Sequence, residues 1–141
     1  MSKLKLVIVT QDRQLLSEEV DQITVPTTSG EVTILPSHAP LFTQLQTGEL
    51  FYKIDGKVNS AVVSSGFMDV GPNNTITVLS DTATLASDIT LERAEEAKQK
   101  AEKAMEQKMD RRNFIMAEAS LRKALIELKI ARKRNNPTSL G

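Results

Sequence analysis

The chain has 141 residues, no cysteine and a formal net charge of zero. The absence of cysteine excludes a disulfide framework, a thiolate metal site and a redox pair. The length suits one modest core with an appendage, and we find neither a signal peptide nor a run of apolar residues long enough to cross a membrane. We therefore predict a soluble, cytoplasmic protein.

The two halves of the chain carry opposite charges. Residues 1–88 hold five basic and ten acidic side chains, whereas residues 89–141 hold thirteen basic and eight acidic ones. Six of the basic side chains lie between Arg122 and Arg134, where Glu127 is the only acid. This end favours an acidic protein surface. Nucleic acid is not the expected partner, because the basic residues are not combined with stacking aromatic side chains.

The first half has the pattern of short strands. Leu4, Leu6 and Ile8 alternate with other residues, which predicts a strand over residues 3–10 with one buried face. Further strands are predicted over residues 20–25, 32–35, 41–47, 49–54, 58–63, 67–70, 76–79 and 83–85, with a short piece at 14–17. Pro26 is predicted to end its strand, and Asp55-Gly56 predicts a two-residue type I′ hairpin turn. Eight or nine strands predict an all-β sandwich or flattened barrel.

The second half is predicted to be helical. From Ile89 to Arg134, 46 consecutive residues contain neither Gly nor Pro, and good helix formers dominate them. Thr90 is the predicted N-cap. A polar turn near residues 108–113 would divide the stretch into two antiparallel helices of roughly 18 residues each. One continuous helix is equally allowed, because no residue between Lys108 and Arg112 breaks a helix.

The two predicted helices differ in their apolar faces. The face of the first helix consists mostly of alanine, which buries little area and should pack weakly. The second helix has a stripe of larger side chains: Phe114, Ala117, Leu121, Ala124, Leu125, Leu128 and Ala131. A neighbouring apolar stripe contains Ile115, Ala119, Ile126 and Ile130. We predict a β domain over residues 1–87, a helical hairpin over 88–136 and a flexible tail over 137–141.

No pattern of residues predicts catalysis. The sequence contains no Gly-rich phosphate loop, no nucleophile elbow and no cluster of His or Cys, so neither a catalytic residue nor a metal site is expected. The single histidine, His38, follows Ser37 in a loop between two prolines, Pro36 and Pro40. A lone histidine in such a loop is expected to be a structural or interface residue.

Several segments together resemble one known family. They are Val25-Pro26-Thr27, Gly30-Glu31, Ile34 to Leu41, Gly48, Gly66-Phe67 and Thr75 to Asp81, followed by an alanine-rich helical pair. In order and spacing they resemble the ε subunits of bacterial F-type ATP synthases. The resemblance implies a β-sandwich of about ten strands followed by a helical hairpin. It also implies a non-catalytic rotor subunit that couples the γ subunit to the c-ring during proton-driven ATP synthesis.

The resemblance implies two sets of contact residues. Glu31, Ser37, His38 and Ala39 stand where family members contact the c-ring and γ. The second set stands where the extended helices of family members reach an acidic segment of the β subunit in the α/β catalytic ring and block rotation. It consists of Arg122, Lys123, Lys129, Arg132 and Lys133. The implied location is peripheral, at the cytoplasmic face of the bacterial cell membrane.

Some family members bind ATP on the hairpin through a motif of the form Ile/Leu-Asp-x-x-Arg-Ala. Here the motif reads Ile89-Thr90-Leu91-Glu92-Arg93-Ala94, with Thr90 in place of the aspartate. The corresponding ATP-site residues would be Ile89, Arg93, Ala94, Lys100 and Lys123. A further arginine position holds Glu127, a charge reversal that should weaken phosphate recognition. We expect ATP binding to be weak or absent. The alternatives are an ATP sensor and an unrelated β-sandwich adaptor with a coiled-coil arm.

Overall fold

The computed structural model describes residues 2–135, in which ten strands precede two helices. The strands are β1 (Leu4–Val9), β2 (Gln14–Val20), β3 (Gln22–Thr27), β4 (Gly30–Ile34), β5 (Leu41–Leu45), β6 (Gly48–Ile54), β7 (Lys57–Val63), β8 (Gly66–Val70), β9 (Thr75–Ser80) and β10 (Ala83–Leu85). The helices are α1 (Leu91–Glu106) and α2 (Arg111–Asn135). The predicted fold class, an all-β sandwich or barrel followed by two helices, is confirmed.

The chain divides into two compact units, a β unit (Met1–Ala83) and a helical unit (Thr84–Gly141). A short 3-10 turn over Ala86–Asp88 lies between β10 and α1. The boundary predicted between residues 87 and 88 stays a prediction. The predicted tail over residues 137–141 lies outside the described residues.

The β unit is built from one sheet in the order β7-β6-β3-β5-β8-β9-β1-β2, with β4 paired to β3. Most neighbouring strands are antiparallel, but β1 and β9 are parallel. The predicted alternation in β1 is confirmed, because Leu4, Leu6 and Ile8 are fully buried. Inward residues of the other strands complete the core, among them Ile23, Leu50, Met68, Ile76 and Val78.

Pro26 does not end its strand, so that prediction is wrong. β3 continues to Thr27, and Pro26 is paired with Glu31 of β4. The carbonyl oxygen of Pro26 accepts a hydrogen bond of 2.9 Å from the N–H of Gln46. In an antiparallel strand the N–H and C=O of one residue point to the same side. Proline therefore lacks a donor only on the side of Gln46, and its pairing with β4 is unaffected.

The predicted type I′ turn is confirmed, since both Asp55 (φ 50°) and Gly56 (φ 81°) have positive φ. This turn contributes to a small charge cluster at the surface. The Lys3 ammonium lies 2.7 Å from a carboxylate oxygen of Asp21 and 2.8 Å from one of Asp55. Hydrogen bonds from Lys3 and from the N–H of Gly56 lower the pKa of Asp21, and the two carboxylates raise the pKa of Lys3. The cluster joins the start of β1 to the β6–β7 turn.

The helical unit is a hairpin rather than one continuous helix. Thr90 is the N-cap of α1, as predicted, because its Oγ1 accepts a hydrogen bond of 3.2 Å from the N–H of Arg93. Asp110 caps α2 through a 2.8 Å bond from the N–H of Asn113 to its carboxylate. The connection therefore ends at Asp110 and is shorter than the predicted 108–113. The helices have 16 and 25 residues rather than equal lengths, since no Gly or Pro stops α2 before Asn135.

The interface between the helices consists mainly of alanine. The buried residues of α1 are Ala94 and Ala101, and those of α2 are Ala117, Ala124, Glu127, Leu128 and Ala131. Two members of the predicted stripe, Phe114 and Leu125, are instead exposed. At 3.6 residues per turn they lie about 80–100° around the helix from the line through the buried alanines. The sequence pattern had combined two adjacent faces into one.

Candidate subunit-contact surfaces

The loop between β4 and β5 presents Ser37, His38 and Ala39 to solvent in a fixed conformation. Ser37 has a positive φ of 69°, and its N–H donates a 2.6 Å hydrogen bond to the side-chain oxygen of Asn74. The N–H of His38 donates to the carbonyl of Leu35 at 3.1 Å. Nδ1 of His38 lies 2.7 Å from the carbonyl of Ala39, which requires the proton on Nδ1. The loop is therefore exposed but anchored.

Glu31 is not part of this loop cluster. It is exposed near the start of β4, whereas the loop follows the other end of the strand. The three residues from Glu31 to Ile34 span about 10 Å at 3.4 Å per residue. Glu31 instead borders an open groove of ≈ 230 Å³. The other lining residues are Gln22, Thr24, Phe51, Tyr52, Lys53 and Val58. The structure thus places the four predicted contact residues in two separate places.

The β unit has an exposed cluster of large apolar side chains that was not predicted from the sequence. We call this cluster the aromatic face: Phe42, Phe67 and Leu79. Their exposed fractions are 65%, 44% and 45%. The rings of Phe42 and Phe67 stack with centroids 5.4 Å apart and planes inclined by 16°. Phe67 is paired with Leu79 of β9. A signal for this face exists in the sequence, since Phe67 alternates in phase with the polar Asp69 rather than with the apolar Met68 and Val70.

The aromatic face is continuous with the anchored loop. Phe42 is the second residue after Pro40, and Asn74, which holds Ser37, lies in the turn between β8 and β9. Phe42 is paired with Asp69 in the strand that leads into this turn. The loop and the aromatic face therefore form one exposed surface at β5, β8 and β9. An exposed apolar cluster of this kind is typical of a site of protein contact.

Four of the five predicted basic contact residues lie together on α2. Arg122, Lys129, Arg132 and Lys133 are all exposed, and at 3.6 residues per turn they fall within a sector of about 100°. We call them the basic sector. Among the described residues one acid approaches them: Glu118 lies 3.9 Å from Arg122 in an i,i+4 pair between exposed side chains. An exposed ion pair of this kind contributes little stabilisation, so Arg122 can exchange Glu118 for another acidic group. The basic sector is available for an anionic partner.

Lys123 lies outside this sector, about 80° beyond its edge at Lys133. Its ammonium donates a 2.9 Å hydrogen bond to Oγ1 of Thr84 and lies 3.2 Å from a carboxylate oxygen of Glu127. The side chains of Lys123 and Glu127 are only 13% and 11% exposed. The structure therefore separates Lys123 from the other predicted basic residues and commits it to partners within the helical unit.

The residues of the predicted weak ATP site are not presented as one set. Arg93 and Lys100 are exposed, whereas Ile89 and Ala94 are buried. Thr90, which replaces the aspartate of the ATP-binding motif, uses its hydroxyl to cap α1. Lys123 is engaged by Thr84 and Glu127. The groups that would recognise phosphate are therefore either dispersed or already hydrogen-bonded.

Across residues 2–135, no three His, Cys, Asp or Glu side chains converge in a way that could hold a metal ion. No helix in this described range is long and apolar enough to span a membrane.

Comparison with known proteins identifies the class of protein that carries these surfaces. Residues 3–86 match the family described as ATP synthase, Delta/Epsilon chain, beta-sandwich domain. Residues 87–132 match the long alpha-helix domain of the same chain. Together the matches span nearly the whole chain, so the chain belongs to the ATP synthase delta/epsilon chain family, as the sequence motifs predicted. It is a non-catalytic subunit of an ATP synthase.

Individual relatives agree with this assignment. The chain is 49% identical over 135 residues to an ATP synthase epsilon chain of Dehalococcoides mccartyi, covering 95% of this chain and 96% of that protein. It is 44% identical over 133 residues to an epsilon chain of Herpetosiphon aurantiacus, covering 94% and 97%.

A solved structure with a similar fold comes from the Euglena gracilis mitochondrial ATP synthase, in a complex of OSCP, F1 and c-ring. Its similar chain has a TM-score of 0.67 and 27% identity, with 94% of this chain and 82% of that chain covered. A chain of the Tetrahymena thermophila mitochondrial ATP synthase central stalk and c-ring shares the fold, with a TM-score of 0.63 and 16% identity over 92% and 97%.

Proposed function

We propose that this chain couples the γ subunit to the c-ring of a proton-driven ATP synthase and that α2 restrains ATP hydrolysis by binding the β subunit. The observation that carries the second part is the basic sector, four exposed cations on one side of a helix that is packed on the other. The solved relative in an F1 and c-ring complex supports the first part. The proposed location is peripheral, at the cytoplasmic face of the bacterial cell membrane.

The aromatic face and the anchored loop are the proposed contact with γ. Stacked phenylalanines offer a large, rigid apolar area that loses little conformational entropy when a partner covers it. The loop adds exposed polar groups, and its hydrogen bonds to Asn74 and Leu35 hold it in place before binding. A preformed surface reduces the cost of association. Glu31, at its separate site beside the groove, is the proposed contact with the c-ring.

Replacing Phe42 by serine should weaken the complex with γ. A centrally placed aromatic anchor typically contributes about 2 kcal/mol or more, so we expect a Kd about 30-fold higher. The variant should fold, because an exposed side chain contributes little to the core. Calorimetric titration of the full-length chain with purified γ measures the effect.

Val58→Ser is the matched control for this experiment. Val58 is 56% exposed, but it lies on β7, three strands from β5 in the strand order. We expect its Kd to equal that of the unaltered chain. Equal weakening by both substitutions, or no weakening by Phe42→Ser, would show that the aromatic face is not the γ contact.

The restraint on hydrolysis is proposed to be electrostatic. The basic sector would meet an acidic segment of the β subunit after the hairpin opens and α2 extends. Several positive charges on one helix face speed the encounter with an acidic surface. They also make binding to a basic surface unfavourable. Because the exposed cations have no tight partner among the described residues, they can be transferred to the new surface without breaking a buried ion pair.

Neutralising the basic sector should therefore release ATP hydrolysis. We compare the ATP synthase carrying Lys129→Gln, Arg132→Gln and Lys133→Gln together with the enzyme carrying only residues 1–88 of this chain. Both should hydrolyse ATP severalfold faster than the enzyme with the full-length chain.

Three lysines near the end of α1 provide a control with the same change in net charge: Lys100, Lys103 and Lys108, each replaced by glutamine. This variant should retain the hydrolysis rate of the full-length enzyme. If the enzyme with residues 1–88 hydrolyses ATP no faster than the intact one, the inhibitory role is wrong, while the coupling role is unaffected.

A role as an ATP sensor is not favoured by any contact of the hairpin. The hydroxyl of Thr90 and the ammonium of Lys123 both have intramolecular partners. ATP would have to displace Glu127 from Lys123 and would then face a carboxylate at a position where a cation is required. These contacts support the expectation that ATP binding is weak or absent.

A further inference from the structure

We infer that two polar contacts, Lys123 with Thr84 and Arg134 with the carbonyls of Ala86 and Ile89, form a latch that holds the hairpin closed and uses two cations that an acidic partner could otherwise bind. The latch itself follows from the contacts of the helical unit. Its regulatory consequence rests on the proposed inhibitory function.

The fully buried part of the hairpin interface consists mainly of alanine methyl groups. Within α1 the buried residues are the alanines Ala94 and Ala101, and α2 adds only one large apolar side chain, Leu128, to its buried alanines. A buried methyl group contributes far less than a buried leucine, because the free energy scales with the apolar area removed from water. Individual hydrogen bonds to charged groups are therefore significant for closure.

The contact of Lys123 with Thr84 distinguishes the closed from the open hairpin. Lys123 and Glu127 lie one turn apart on α2, so their 3.2 Å ion pair persists wherever α2 goes. Thr84 is in β10, before α1, and its 2.9 Å bond to Lys123 requires α2 to lie against this segment. Opening therefore breaks the bond to Thr84 and exposes the Lys123–Glu127 pair to water.

Arg134 makes the second contact at the far end of α2. Its guanidinium donates to the carbonyl of Ile89 at 3.0 Å and also to the carbonyl of Ala86. Both acceptors lie in the segment that leads into α1. These bonds span more than 40 residues of sequence and join the last turn of α2 to the start of α1, so they too exist only in the closed hairpin.

The latch couples opening to the partner's charge. Opening frees Lys123 from Thr84 and Arg134 from its two carbonyls, so both side chains can then bind a partner. An acidic surface can therefore make more charge contacts with the open hairpin than with the closed one. A partner shifts a conformational equilibrium only by this difference in affinity. Lys123 and Arg134 would stabilise the closed state through the latch and the open state through contacts with the acidic partner.

Hydrogen exchange of the full-length chain tests the latch. Thr84→Val removes the acceptor, keeps the shape and suits a strand. Arg134→Gln removes the second contact. Each should increase the exchange rates of the slowest amides of α1 and α2 about tenfold, as expected for the loss of a hydrogen bond to a charged group. Arg132→Gln is the control, because Arg132 is exposed and has no hydrogen bond to any described residue. Exchange that matches this control in both variants would overturn the latch.

Hydrolysis by the assembled ATP synthase separates the latch from the proposed function. With Thr84→Val the hairpin opens more readily, so the enzyme should hydrolyse ATP more slowly, whereas Arg132→Gln should speed hydrolysis by removing a contact with β. Faster exchange without slower hydrolysis would support the latch and contradict inhibition by α2. Unchanged exchange would overturn the latch whatever the hydrolysis rate.

Discussion

Replacing Gly66 by alanine is expected to destabilise the β unit by about 3 kcal/mol or more, a large share of the stability of a typical domain. A Cβ atom at Gly66 would lie 1.9 Å from the carbonyl oxygen of Leu79 and 2.9 Å from Cα of Ser80. Both atoms belong to the backbone of β9, which is paired with β8 at this point. A backbone in a sheet cannot move aside like a side chain, so the strands must separate.

Urea unfolding measures this effect, with the fluorescence of Tyr52 as the signal. Tyr52 is the only tyrosine, the chain has no tryptophan, and the side chain is buried in the β unit. Gly71→Ala is the control, because a Cβ there would lie 3.6 Å from the carbonyl of Thr75, an ordinary contact. We expect its midpoint to remain close to that of the unaltered chain. A Gly66→Ala variant as stable as this control would contradict the close strand contact.

Replacing Lys123 by methionine is expected to open the hairpin, because it leaves Glu127 buried without its cation. Removing one partner of a buried ion pair typically costs about 3–5 kcal/mol. Replacing both partners, with Lys123→Met and Glu127→Leu, removes the buried charge as well. The double variant should recover most of this loss, since apolar groups of similar volume pack in place of the pair, but not the contribution of the bond from Lys123 to Thr84.

Thermal unfolding followed by helical circular dichroism provides the measurement. Lys129→Met serves as the control, since it removes an exposed lysine from the same helix and should change stability by no more than about 0.5 kcal/mol. The decisive quantity is the interaction between the two substitutions. Simple addition of their separate effects would show that Lys123 and Glu127 do not act as a pair.

Features set by neighbouring residues were predictable from the sequence. The alternation of Leu4, Leu6 and Ile8 identified β1, and Asp55-Gly56 identified a turn whose two residues both need positive φ. Thr90 was recognised as a cap because the capping bond joins residues only three apart. The family was recognised from motifs that the structure now explains in part. Gly66, for example, occupies a position where any side chain would meet the next strand.

Features that depend on distant segments were missed or misplaced. Phe42 and Phe67 stack only because β5 and β8 are paired, which separate inspection of each strand does not reveal. Pro26 was expected to end its strand, because proline has no N–H to donate. The sequence does not show that this N–H would point toward Gln46 and away from β4. The predicted apolar stripe of α2 included Phe114 and Leu125, which are exposed. Periodicity identifies an apolar face, but it does not show how much of that face the alanines of α1 cover.

The sequence by itself determined that a β unit is followed by a helical arm, that the arm begins at Thr90 and that its end is basic, because composition and local spacing carry that information. Only the tertiary structure decided which cations the end of the arm offers. Arg122 and Lys123 are adjacent and look alike in sequence. Because of the positions of α1 and Thr84 around α2, Arg122 is exposed, whereas Lys123 binds Thr84 and Glu127. That choice is made by packing between segments far apart in the chain.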